Sequence, residues 1–239
     1  MSVLHRSNPD VVPPAPTSVA NSSPMQRVVL LWTSSLATLM VGGWIVCPQG
    51  QYQYVITAFD RVGLGLAHAL RGEMLDHWMS GMTWFGSLAV LLPLALTVAL
   101  VLLRDRRWRE AGFLLLALLG SSLLSHLTKL VVMRPRPDLF PVWTAMPADW
   151  SYPSAHTMQI TAAAVAMILV TDRRRALLTV ALGIVALLVG LSRLYLQVHF
   201  PSDVLAGTLA AALWVVGLHA LMFGRPSRYD SLKTNGEHA

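Results

Sequence analysis

Six apolar stretches of about bilayer length, each with at most one charged residue, constrain this chain more than any other feature. They run over residues 27–47, 83–103, 111–133, 154–171, 176–196 and 203–223. An α-helix needs about 20 apolar residues to cross a hydrocarbon core, and a backbone in lipid must satisfy its own N–H and C=O groups, which a helix does. The expected fold class is therefore all-α, an integral membrane six-helix bundle. With 54% hydrophobic and 13% charged residues, the chain is poorly suited to a water-facing globule. The first stretch could be read as a cleaved signal, but Trp44, Ile45 and Val46 lack the small-residue cleavage pattern, and its length suits a retained span.

The segments around these stretches are of other kinds. Residues 1–26, rich in Pro, Ser and Asn, are predicted to be a disordered cytoplasmic leader. Residues 27–223 are expected to form one six-span domain without internal repeats, and 224–239 a cytoplasmic tail. Between the first two spans, residues 48–82 mix Asp60, Arg61, Arg71, Glu73, Asp76 and His77 with apolar residues at helical spacing. That pattern predicts an amphipathic outer segment lying on the membrane surface; an ordinary loop is the plainer alternative. The single cysteine, Cys47, excludes an internal disulfide framework and a thiolate metal cluster.

A formal charge of +6 could suggest nucleic acid, but here the arginines bracket spans rather than line a solvated face. With six crossings, one side receives Arg6, Arg27, the loop Arg104–Glu110 with its four arginines, Arg173, Arg174, Arg175, Arg225, Arg228 and Lys233, twelve of the 18 basic residues. Short loops rich in Lys and Arg stay in the cytoplasm, so both termini are expected there. Arg61, Arg71, Lys129, Arg134, Arg136 and Arg193 fall on the other side. Snorkelling to headgroups would explain Lys129 or Arg193 taken alone, but not the polar company they keep.

Three clusters converge on that outer face: Lys129 with Arg134-Pro135-Arg136-Pro137, then Pro153-Ser154-Ala155-His156, then Ser192-Arg193 running through His199 to Asp203. A phosphoryl group is the guest such a set suits. Guanidinium forks match its oxygens, an ammonium adds a point charge, and helix N-termini offer free N–H groups. Ser154 is placed to cap the fourth span, and Pro201 suits the first turn of the sixth.

The same positions suggest a reaction. Neutral His199 can attack phosphorus, while Asp203 accepts the other ring N–H and stabilises the developing imidazolium. His156 can protonate the leaving alkoxide and then take a proton from the water that resolves the phosphohistidine. Lys129, Arg136 and Arg193 compensate the oxygens whose charge shifts. No metal or other cofactor is required by this chemistry.

These residues resemble the signature of the type 2 phosphatidic acid phosphatase superfamily of membrane lipid phosphatases. Lys129 stands at the family's distance from Arg136-Pro137, Pro153-Ser154-Ala155-His156 parallels its Pro-Ser-Gly-His, and Ser192-Arg193 leads at the family's spacing to His199 and Asp203. The resemblance implies a six-helix membrane fold, metal-independent hydrolysis through phosphohistidine, and phosphate contacts from Lys129, Arg136, Ser154, Ala155 and Arg193. The partner it implies is a phosphorylated lipid in a bacterial inner membrane, with the site periplasmic. Ala155 replaces the family's glycine, keeping the amide but forbidding a φ above zero.

Other residues invite plainer readings. Arg134 lies out of register and is expected to contact headgroups; His126 is expected to pack in the bundle, and His219 lies on the wrong side. Phe140, Trp143, Trp150 and Tyr152 suit an interfacial aromatic belt. Pro93 is expected to kink the second span, and Gly207 with Ala211 to allow close helix packing. Three rival functions stay open. His156, His199 and Asp203 could ligate a catalytic metal, the cations could escort a phosphate-lipid through a carrier or flippase, or an alcohol rather than water could resolve the phosphohistidine in a phosphotransferase.

Overall fold

Local chemistry decides where the helices begin and end. The computed structural model describes residues 23–47, 56–142, 144–171 and 175–224. Among them are eight α-helices: α1 (Pro24–Val46), α2 (Ala58–Ala69), α3 (Glu73–Met82), α4 (Leu88–Arg104), α5 (Trp108–Val132), α6 (Ala155–Val170), α7 (Arg175–Tyr195) and α8 (Pro201–Phe223), with a 3-10 turn at Thr83–Gly86. Ser23 caps α1 in a reciprocal box with Gln26, Thr57 caps α2 by accepting from the Asp60 amide at 3.0 Å, and Ser87 caps α4 by accepting from that of Ala89 at 3.2 Å. Each satisfies a donor that the first helical turn leaves orphaned. Met133, at φ 52° and ψ 37°, ends α5 in the left-handed region, turning the chain into the helix-free stretch before α6.

All described elements are helical, and each of the six apolar stretches forms a helix. Four of these, α1, α5, α7 and α8, are long and apolar enough to cross a membrane. The α3 segment and α4 meet across a 48° bend and together have the length and apolarity of a fifth crossing or of a re-entrant pair, and α6, apolar but shorter, spans 16 residues. The bend falls at Ser87, not at Pro93, through which α4 runs unbroken. Leu177, Val180, Ile184 and Leu187 on α7, with Leu30, Val41 and Ile45 on α1, point outward and exposed. Such apolar faces suit hydrocarbon as their solvent, and the chain is a multi-pass membrane protein.

Helix α8 runs through the middle of the bundle. The Ser35 hydroxyl of α1 donates to Ala210 O at 2.9 Å, and the Trp32 and Trp214 rings stack at 5.3 Å. Gly207 lies so near the start of α6 that a Cβ would meet Ser154 O at 3.2 Å, so the expected close packing is present where α8 supports the site. At the basic end, Arg107 donates to Val170 O at 3.0 Å and Arg109 donates to Met222 O, tying the starts and ends of α5, α6 and α8 together.

Residues 56–82 are the amphipathic outer segment, broken into two. They form two helices, α2 and α3, docked on α7 and α8, with Val62, Leu66, Leu70, Met74 and Trp78 outward and Asp60, Leu64 and Asp76 buried. Their inward face carries carboxylates: Asp76 accepts from Tyr195 Oη at 2.7 Å. His126 is exposed on α5 rather than packed, because its helical position faces away from the core residues Ser125, Thr128 and Lys129. Among the aromatics, Tyr152 is fully buried and donates to Thr38 O, so it belongs to no belt, and Phe140 stacks on His68. Residues 1–22, Arg173, Arg174, Trp143 and the tail from 225 lie outside the described residues.

Candidate active site

At the end of the bundle opposite Arg107 and Arg109, a cavity of about 250 Å³ is lined by Lys129, Arg136, Ala155, His156, Arg193 and His199, together with Asp149 and Gln159. Each expected residue arrives from its own element. Lys129 sits in the last turn of α5 and Arg193 in that of α7. Arg136 follows the left-handed turn at Met133, and Ala155 and His156 open α6. A second left-handed residue, Gln197 at φ 58°, reverses the chain after α7 and drops His199 just before Pro201 begins α8.

His199 is buried and its two ring nitrogens face different surroundings. Nε2 lies 3.3 Å from Arg136 Nη1 on the cavity side. Nδ1 lies 3.5 Å from Asp203 Oδ2 and 3.4 Å from Ser151 Oγ, whose hydroxyl donates to that same carboxylate oxygen at 2.5 Å. Asp203 therefore orients the ring partly through Ser151, a residue outside the expected set. Burial, then the charges of Arg136, Arg193, Lys129 and His156, hold the imidazole pKa well below its ordinary value, so the ring is neutral at neutral pH and has a lone pair to offer.

Behind His199 lies a sealed chain of charge. Arg134 donates to Asp203 Oδ1 at 2.6 Å and to Asp60 Oδ2 at 2.8 Å, with all three side chains fully buried. Its guanidinium also reaches Ser202 Oγ at 2.8 Å and lies 3.8 Å over the Phe200 ring. Asp60 holds the start of α8 by accepting from Ser202 N at 2.9 Å. Arg134 is thus no headgroup contact: a cation flanked by two buried carboxylates is kept inside by them.

One expectation about α6 changes and one holds. Ser154 occupies the N-cap position, but its side chain caps nothing. Its hydroxyl accepts from Thr157 Oγ1 at 2.9 Å, its amide donates to Asp203 O at 3.2 Å, and it stands fully buried behind the cavity. Ala155 does line the cavity. Among the described residues, positive φ outside glycine occurs at Arg106, Met133 and Gln197, so alanine at 155 meets no backbone strain.

The cations are engaged before any ligand arrives. Arg136 Nη2 lies 2.5 Å from Asp149 Oδ1, and Lys129 Nζ lies 3.0 Å from Asp149 Oδ2. Arg136 also donates to Asp149 O at 2.8 Å and to Val198 O at 2.6 Å, and Lys129 donates to Trp150 O. Burial alone would raise the Asp149 pKa, but Lys129 and Arg136 outweigh it and bring it to about 2. Arg193 donates to Thr83 Oγ1 at 2.6 Å. Among the described residues, no group of three or more His, Cys, Asp or Glu is arranged to hold a metal ion.

Known proteins share this arrangement of sequence and fold. The profile of the PAP2 superfamily matches residues 110–227, which contain all three motif clusters. Phosphatidylglycerophosphatase B of Bacillus subtilis (strain 168) is 32% identical over 146 residues, 58% of this chain and 70% of that protein. An undecaprenyl-diphosphatase of Sulfolobus acidocaldarius is 33% identical over 49% of this chain and 58% of its own length. In fold, the crystal structure of a transmembrane PAP2 type phosphatidylglycerolphosphate phosphatase from Bacillus subtilis superposes with a TM-score of 0.67 at 24% identity, covering 82% of this chain and 95% of that one. The chain belongs to the PAP2 superfamily and is a membrane-embedded phosphatase.

Proposed function

We propose that the protein hydrolyses a phosphate monoester or diphosphate carried by a membrane lipid, without a metal, through a phosphohistidine at His199. The observation that carries this reading is the division of labour around one imidazole: Nδ1 is held towards Asp203 and Ser151, while Nε2 faces a cavity ringed by Lys129, Arg136 and Arg193. In the first step Nε2 attacks phosphorus, the bond from phosphorus to the lipid oxygen breaks, and His156 gives that oxygen a proton. In the second, His156 takes a proton from water, the hydroxide attacks phosphorus, the P–N bond breaks and inorganic phosphate leaves. The three cations, with the free amide of Ala155 at the α6 N-terminus, offset the charge on the transferring oxygens. Ser154 supports the start of α6 rather than touching phosphate.

Residues 27–223 act as one six-span phosphatase domain in this reading, with α6 as the shortest crossing and α2–α3 flanking the site. The arginine-rich end lies in the cytoplasm with both termini, which places the cavity at the periplasmic face of a bacterial inner membrane. The activities of these relatives support a glycerophospholipid phosphate or a polyprenyl diphosphate as substrate.

Purified protein assayed in detergent against a panel of such lipids tests the reading. The wild type should release inorganic phosphate and form an acid-labile phosphoprotein. His199→Ala should lose turnover by about 10⁴-fold or more, as removal of a covalent nucleophile does, and should form no phosphoprotein. Turnover that survives in His199→Ala defeats the proposal.

A further inference from the structure

The mouth of the cavity already holds an anion, and the chain supplies it. The two carboxylate oxygens of Asp149 rest one on Arg136 Nη2 and one on Lys129 Nζ, at 2.5 and 3.0 Å. Two oxygens of a phosphoryl group would take the same two partners. Lys129 and Arg136 have side chains only 4% and 7% exposed, whereas that of Asp149 is 54% exposed. The carboxylate therefore closes the cavity from the solvent side. Among the described residues it pairs with these two cations alone, and it is carried on the helix-free stretch between α5 and α6 rather than on a span. A phosphate dianion and this carboxylate cannot both hold the pair: at contact distance two like charges repel, the more so with little water between them.

Resting on the phosphatase reading above, we propose that Asp149 is an internal competitor for the phosphate position, one that a phosphate concentrated at the site by a membrane tail overcomes and a dilute soluble phosphate does not. Displacing the carboxylate costs the same whichever phosphate arrives. A small soluble phosphate has only its charge with which to compete. A lipid phosphate is held at the site by its tail, which raises its effective concentration beside the cations. Once the ester bond is cut the tether is gone, and when water has broken the P–N bond Asp149 returns to the cations as the freed phosphate leaves. The outcome is weak binding of inorganic phosphate and poor use of soluble esters.

The alternative is that Asp149 merely props Lys129 and Arg136 in place, and the two readings predict opposite signs. Inorganic phosphate is titrated into the full-length wild type and Asp149→Asn in detergent, read by calorimetry, alongside its inhibition of lipid hydrolysis. Asparagine keeps the shape and removes the charge. The competitor reading expects phosphate to bind Asp149→Asn about tenfold tighter or more, a factor that one lost charge-assisted contact can supply, with KM for a soluble aryl phosphate and KM for the lipid falling by similar factors. Asp149→Glu, which restores the charge, should bind phosphate within about threefold of wild type, so that a general loosening of the loop does not pass for loss of competition. Phosphate affinity unchanged or weakened in Asp149→Asn overturns the proposal. Because calorimetry needs no turnover, a protein that binds phosphate but hydrolyses no lipid sinks the phosphatase reading and leaves the competition measurement intact.

Discussion

Arg134 and Arg136 stand two residues apart and do opposite things. Arg136 faces the cavity, half of its guanidinium on a solvent-exposed carboxylate and one nitrogen 3.3 Å from His199 Nε2. Arg134 faces the protein, sealed between Asp60 and Asp203 with no exposure. The front charge is exchangeable, since a ligand oxygen can take the place of Asp149. The charge behind is not, because each partner was desolvated on the understanding that the others stay. In the front group charge serves chemistry, and in the rear group it sets the posture of Asp203 and the start of α8.

The largest test of that contrast removes each arginine in turn. Arg134→Ala leaves two buried carboxylates uncompensated, and breaking a buried ion pair in this way costs about 3 to 5 kcal/mol. Denaturation monitored in detergent should show a loss of that order, with activity falling alongside. Arg136→Ala leaves Asp149 exposed to water and still beside Lys129 but frees the Asp149 and Val198 carbonyls, so its stability loss should be smaller, about 1 to 2 kcal/mol, while kcat/KM falls by about 10²-fold or more for want of a transition-state contact. Equal stability losses in the two variants would break the distinction between front and rear.

Much of the front group was legible in the chain and most of the rear was not, for a physical reason. Lys129, Arg136, His156, Arg193 and His199 lie at helix ends that hydropathy marks, so reading where the apolar stretches stop brings them to one boundary. Asp60 meets Arg134 across 74 positions and Arg134 meets Asp203 across 69, and no local pattern encodes such a pairing. One signal was available: Asp60 sits among Phe59, Leu64 and Val62 in the outer segment, where an acid must either face water or find a buried cation. Arg134, out of register for the phosphate and expected only at headgroups, was then the available cation. Ser151 and Asp149 are short polar residues in a helix-free stretch, and only its path back across the cavity gives them partners. Likewise the segment before α4 showed helical spacing, but not that two helices turn their carboxylates inward.

A smaller effect separates the groups by pH. Burial and then Arg136 lead the causes that depress the His199 pKa. The neutral, reactive ring should therefore persist well below pH 6.5, and kcat/KM, corrected for the substrate's own ionisation, should keep its plateau there. Arg136→Ala removes the nearest of these cations and should move the acid limb to higher pH, whereas a surface variant such as Arg61→Ala should leave it in place. The linkage has the same sign in stability. With the folded pKa below the unfolded one, the unfolded chain binds the proton first, so stability holds above about pH 6.5 and falls as the pH drops from there towards the folded value. An acid limb at or above pH 6.5 in the wild type would mean that His199 is not held as the front cations require.

The smallest expected effect concerns the turn that sends the two arginines to their different sides. Met133 takes φ 52° and ψ 37° at the end of α5, a conformation in which a side chain with a Cβ is strained and glycine is not. Its amide accepts this position by donating to Lys129 O at 3.0 Å, so the backbone there is fixed by a hydrogen bond rather than by the methionine itself. Met133→Gly should relieve the strain while widening the unfolded ensemble, and the two effects oppose one another. Helices that end in this way favour glycine, which tips the balance towards a gain of about 0.5 to 1 kcal/mol, with kcat/KM within about twofold of wild type. A loss of stability would show that the methionine side chain contributes packing that outweighs its backbone strain. A loss of activity without loss of stability would show that the divergence of Arg134 from Arg136 depends on the stiffness of this one residue, because a freer joint would let the front arginine wander while the rear one stays clamped.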